Sequence, residues 1–235
     1  MSNITQKERT EIIKKTFKEF NDKNGFYFRT PRVILKDNYD IIHYLTIAIN
    51  GGGGITCDLV AQPLYLPETD LNLNISVRLN FIEKTKLFPW GHYDDNVKEF
   101  EDDIADIFYI FSTGGIEWFS TFGSPQKLID VVDDWSLEKY KDPWHPDFRN
   151  ETRAVSYLYL GEIDKGVYYL KKALLDTKRT ERFQNWLNLA QNETERLPEI
   201  FDDIILTTRK NLKLKDTKCE LLNKRKLEET NKIIL

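Results

Sequence analysis

The chain offers little thiol chemistry. Its 235 residues hold two cysteines, Cys57 and Cys219, too few and too far apart for a disulfide framework or a thiolate zinc site. No apolar run is long enough for a transmembrane helix. The opening MSNITQKERTEIIKK carries charge early and lacks an apolar segment, so no secretory leader is expected. These absences predict a cytoplasmic protein without a membrane partner. Catalytic signatures are also missing. The three histidines, His43, His92 and His145, form no i,i+4 pair and no H-E-x-x-H helix. FSTFGS lacks the glycine pattern of a nucleophile elbow around Ser120 and Ser124. No metal and no cofactor is expected.

Glycine is sparse except in one place. The stretch AINGGGGITCD puts four glycines, Gly51 to Gly54, between two apolar runs. A phosphate loop would need a following lysine and helix. Here Ile55, Thr56 and Cys57 follow, in a segment that alternates like a strand. The glycines therefore read as a hairpin turn. Apolar residues are odd-numbered on both arms: Ile41, Leu45, Ile47 and Ile49, then Ile55, Cys57, Leu59 and Ala61. Facing residues share a side of the sheet, so the loop holds an odd number of residues. Ile49 opposite Ile55 leaves five; a tighter version over Gly52 to Gly54 leaves three. His43 falls on the apolar side near Ala61 and reads as a buried imidazole with a hydrogen-bond partner.

What is present is a core and a patterned charge. Hydrophobic residues make up 40%, enough to bury a sizeable interior, and charged residues make up 31%. The net charge of −4 does not favour nucleic acid. Residues 4–21 read as a helix with Ile13, Phe17 and Phe20 on one face, stopped at Asn24-Gly25. Residues 26–36, interrupted by Pro31, read as an edge or broken strand. NISVRLNF at 74–81 alternates, with Ile75, Val77, Leu79 and Phe81 inward. From Asp94 the period turns helical, with Val97, Phe100, Ile104, Ile107, Phe108 and Phe111 in one stripe and Gly114-Gly115 as its end. Trp118, Phe119 and Phe122 pack a short helix. Ser124 caps the next helix, with Pro125 at its first position and Leu128, Ile129, Val132 and Trp135 on its apolar face. KDPWHPDFR reads as a linker, followed by helices. The fold class is α+β: an N-terminal helix, a half-exposed antiparallel sheet of about four strands covered by helices, then an all-helical extension. The expected division is residues 1–142 and 143–235, the second packed on the first.

The helix after Asp94 carries the main functional candidate. Opposite its core stripe stand Asp95, Glu99, Asp102, Asp106 and Tyr109. Like charges at i,i+4 work against the helix, and Asp102 and Asp106 lie too far in for the N-terminal dipole to help. Residues 94–142 hold 13 acidic and 4 basic side chains, a local net of −9. This ridge predicts a non-enzymatic protein-binding module with a basic protein as partner. The plain alternative is a solvated helix face. A second functional reading is a hydrolase or nucleotide-binding enzyme, with a site among Trp90, His92 and His145, two of them histidines beside a tryptophan. A third is nucleic-acid binding through the tail, since residues 205–235 hold 9 basic and 4 acidic residues. Docking of that tail on the acidic face of the same or a second copy is an equal reading.

Two resemblances attach to particular residues. Ala154, Tyr157, Leu160, Gly161, Ile163, Gly166, Leu170 and Ala173 resemble the middle of one tetratricopeptide-type helix pair, with Gly161 at the turn. Lys178 stands where that pattern has proline. A single unit forms no solenoid, so a local helical hairpin is expected. Residues 1–140 resemble the bacterial domain of unknown function 4304 family. The likeness rests on the opening helix with Gly25-Phe26, the meander ending in ISVRLNF, and GGIEWFSTFGSPQKLIDVV. That family supplies no catalytic residues. The resemblance implies a small bacterial α+β protein, a kind associated with toxin neutralisation.

Overall fold

The computed structural model describes residues 4–50, 53–79, 82, 91–92, 96–133, 146–175 and 180–214. Helix α1 (Gln6–Asn24) starts at a reciprocal cap. Thr5 accepts from the Glu8 amide, and the Glu8 carboxylate accepts from the Thr5 amide at 2.7 Å. It ends at Gly25, whose φ of +72° is the left-handed stop that glycine adopts without a Cβ clash.

The sheet is a meander. Strands β1 (Phe26–Thr30), β2 (Val33–Asp37), β3 (Ile41–Ile49), β4 (Gly54–Pro63) and β5 (Ser76–Arg78) pair in that order, and the two-residue β6 (Gly91–His92) pairs with the start of β4. The strand count thus exceeds four. Residues 26–36 fold into two strands rather than one broken strand, because Pro31 and Arg32 turn the chain between Thr30 and Val33. Ser76–Arg78 is shorter than the predicted 74–81 strand. Its neighbours Ile75 and Leu79 are buried, and Phe81 lies outside the described residues.

The central hairpin has the expected register. Ile49 faces Ile55 and His43 faces Ala61. The Asn50 amide donates to the Gly54 carbonyl at 2.9 Å, and the Asn50 side chain accepts from the Gly54 amide at 2.7 Å. Gly53 takes φ +83°, the conformation an odd-length loop needs.

One side of the sheet carries Ile41, His43, Leu45, Ile47 and Leu59. It meets a dry aromatic layer in which Phe17, Phe20, Phe26, Phe108, Phe111 and Phe119 touch edge to face or tilted. The other side is not open along its whole length, contrary to the half-exposed pattern. Tyr44, Val60 and Gln62 are buried there, because residues 70–72 cross over them. The Gln62 amide donates to the Asp70 carbonyl and accepts from the Asn72 amide, and the Tyr44 hydroxyl donates to the Asn72 carbonyl. Farther along this side, Ala48 and Arg78 are solvent-exposed.

Helix α2 (Val97–Ile110) does not stop at Gly114-Gly115. A π-helical turn, Phe111–Gly115, joins it to α3 (Ile116–Thr121). The glycines serve close approach instead of termination. A Cβ on Gly114 would lie 2.5 Å from Ile82, and one on Gly115 would lie 3.2 Å from Leu59. Helix α4 (Pro125–Asp133) begins as expected, with Ser124 Oγ accepting from the Lys127 amide; Trp135 lies outside the described residues.

The remaining helices are α5 (Pro146–Tyr159), α6 (Ile163–Leu174), α7 (Thr180–Asn192) and α8 (Leu197–Asn211). The expected boundary near residue 142 lies outside the described residues. Helices α5 and α6 form the expected hairpin, turned by Gly161 at φ +80°. Gly166 lets them touch: a Cβ there would sit 2.3 Å from Leu158 Cδ2 and 3.1 Å from the Ala154 carbonyl. This layer joins the sheet through polar pairs as well as apolar contact. Tyr65 shares a 2.7 Å hydrogen bond with Ser156 and stacks on Tyr159. Asp37 on β2 holds Arg209 of α8 in a two-pronged ion pair at 2.6 and 2.8 Å.

Candidate functional site

The acidic ridge stands on α2. Asn96 caps the helix by accepting from the Lys98 amide at 2.9 Å. Phe100, Ile104, Ile107 and Ile110 are buried, and this fixes the helix rotation. Glu99, Asp102 and Asp106 are consequently exposed, and Tyr109 is 60% exposed. Among the described residues none of these three carboxylates has an ion pair. Asp95 lies outside the described residues. Spacings of three and four residues bring successive side chains to about 5–6 Å at Cβ, so the ridge is a line of closely spaced like charge.

Asp103 was not among the expected site residues. It sits between ridge and core, half-buried, with Oδ2 shielded from solvent and without a hydrogen-bond partner among the described residues. Burial raises its pKa, and the charges of Asp106, Glu99 and Asp102 raise it further. Its own charge in turn helps burial raise the pKa of the Cys57 thiol on β4. The paired Asp102-Asp103 beside the stripe is the sequence signal for a carboxylate at the helix flank.

The ridge ends at the π turn. Ser112 and Thr113 both donate to the Tyr109 carbonyl, at 3.0 and 2.8 Å. Such bonds from Ser and Thr back to the preceding turn are common within helices. Tyr109 stands at the end of the ridge, exposed.

The second candidate set is not brought into view. Trp90 and His145 lie outside the described residues. His92 falls on β6, and its side chain also lies outside them. Among the described residues no three His, Cys, Asp or Glu side chains are grouped so as to hold a metal ion. His43 is buried and neutral. Its Nε2 donates to the Phe122 carbonyl at 3.2 Å, since a carbonyl can only accept, so Nδ1 accepts from Asn38 at 3.0 Å. Burial and the Lys36 charge bring its pKa down to about 4, against the opposing effect of the Phe122 bond. Of the basic C-terminal residues, Arg209 is 6% exposed and committed to Asp37; residues 215–235 lie outside the described residues.

Sequence reasoning also missed a buried polar cluster on α5. Glu151, fully buried, accepts from Arg182 Nε and from Trp186 Nε1 at 3.1 Å. Glu68 approaches the same guanidinium at 3.7 Å. This cluster ties α5, α7 and the 64–75 segment together. Comparison with family models, curated proteins and solved structures returned no match.

Proposed function

We propose that the protein is a non-enzymatic binding module whose α2 ridge docks a basic protein. The observation that supports this reading is the exposed line Glu99–Asp102–Asp106, without an ion pair among the described residues, ending in the exposed Tyr109. A helix that needed only solubility would gain from alternating charge, which supports rather than opposes helix formation. The ridge instead accepts repulsion. Rows of one sign speed encounter with a partner of the other, and an aromatic at the end supplies desolvated contact area. Neutralisation of a basic toxin, the role that the domain of unknown function 4304 resemblance implies, is one use of such a surface.

The test is capture with wild type and with a Glu99→Lys/Asp102→Lys/Asp106→Lys variant, read by quantitative mass spectrometry. Basic proteins recovered by wild type are expected to disappear with the variant. Equal recovery would remove the ridge from the account.

A further inference from the structure

The turn between β2 and β3, residues 37–40, is tied to both helical layers at once. Toward α8, Asp37 Oδ1 accepts from the Tyr39 amide at 3.0 Å and from Arg209 Nη1 at 2.8 Å, while Oδ2 accepts from Arg209 Nη2 at 2.6 Å. Arg209 Nη1 also donates to the Tyr39 carbonyl at 3.2 Å, and its guanidinium lies 5.7 Å from the Tyr39 ring centroid. Tyr39 itself takes φ +75°, a left-handed conformation that a bulky side chain adopts only when its surroundings hold it there. Arg209 closes that strained loop by gripping both its ends.

Toward the aromatic layer, the next residue in the same turn does different work. Asn38 donates to His43 Nδ1, His43 Nε2 donates to the carbonyl of Phe122 just past α3, and the imidazole stacks on Phe119 at 4.7 Å. The groups facing His43 are Lys36 across β2, Asn38 in the turn, Ala61 across β4, and Phe119 with the Phe122 carbonyl from α3. Asn38 is flanked by Asp37 and Tyr39, both held by Arg209. Its side chain cannot keep its aim if the turn relaxes.

We propose that the β2–β3 turn is a mechanical joint: docking of α8 through Arg209 sets the strained turn, and the turn holds His43 in its neutral, Nε2-protonated form against α3. The coupling is reciprocal, as linked equilibria require. Loosening α8 lets water reach the imidazole, and disturbing the imidazole contact loosens the last turn of α8.

The test uses the full chain with ¹⁵N-labelled histidine. Of the three imidazoles, His43 is identified by the signals that a His43→Gln variant lacks. In wild type, His43 is expected to stay neutral and Nε2-protonated well below the ordinary histidine range. Arg209→Lys keeps the charge but loses the two-pronged grip. It is expected to raise the His43 pKa by about one unit as desolvation eases. The pair Asp37→Leu/Arg209→Leu removes both charges together, so neither is left buried alone, and is expected to shift His43 the same way. Conversely, Asn38→Ala is expected to speed amide exchange at residues 208–212. His43 tautomer and titration unchanged from wild type in both Arg209 variants would overturn the joint, as would unchanged exchange in α8 after Asn38→Ala.

Discussion

The two sides of the sheet are held by different physics. Toward α1–α3 the contact is a dry layer of phenylalanines around Phe111. Toward α5–α8 apolar contact is wired together by polar pairs: Tyr65 with Ser156 and Asp37 with Arg209, backed within the helical layer by Glu151 with Arg182 and Trp186. Apolar contact is non-directional and tolerates exchange of shape, whereas a buried ion pair fixes one geometry and punishes the loss of one partner. The difference predicts opposite responses to paired mutations.

The largest single effect is expected on the dry side. Phe111 is fully buried among Phe17, Phe20, Phe26 and Phe119. Phe111→Ala should cost about 4 kcal/mol in denaturant melts, and no second truncation nearby should recover it. On the wired side, Arg182→Met should cost about 3 kcal/mol by stranding the Glu151 carboxylate. Glu151→Leu combined with it should return most of that loss. Equal costs for single and double replacement would erase the contrast between the two sides.

The legibility of the sequence follows the same division. Much of what neighbours in the chain set could be read, although the turn at Pro31-Arg32 reads as a break in one strand. The Gly25 stop, the Ser124 cap, and the Ile49–Ile55 and His43–Ala61 registers follow from local spacing, and the structure has each of them. What else failed depends on distant chain. Gly114-Gly115 looks like a helix end in isolation, and only Leu59 and Ile82 show it to be a point of close approach. Tyr44 and Gln62 occupy the side that period-two alternation assigns to water. The 70–72 segment buries them, and nothing in the strand announces that. Asp37 and Arg209 are 172 residues apart. The ridge was legible because an amphipathic helix leaves one face outward. Asp103 was not, because its burial depends on tertiary packing and not on the helix period.

A smaller effect sharpens the dry side. His43 has a folded pKa near 4, below the ordinary 6.5 of a histidine in the unfolded chain. Above pH 6.5 both states are neutral and stability is unaffected. As pH falls below 6.5 the unfolded chain takes up a proton that the folded one refuses. Stability should decline by about 1.4 kcal/mol per pH unit, to roughly 3 kcal/mol in all, and level off near pH 4. A His43→Gln variant should lack this component of the pH dependence.

The smallest effect belongs to the surface. Asp106→Lys places a cation four residues after Asp102 and should leave stability unchanged or raise it by about 0.5 kcal/mol in thermal melts. The same change should weaken partner binding. A residue whose replacement helps the fold and harms recognition is the signature expected of a functional charge.

The most direct test of the ridge is carbodiimide footprinting of its carboxylates, free and in complex with a captured partner. A docking ridge predicts that Glu99, Asp102 and Asp106 label readily in the free protein and are protected in the complex. Asp130, exposed on α4 and outside the ridge, should label equally in both. Equal labelling of the three ridge carboxylates with and without partner would contradict it.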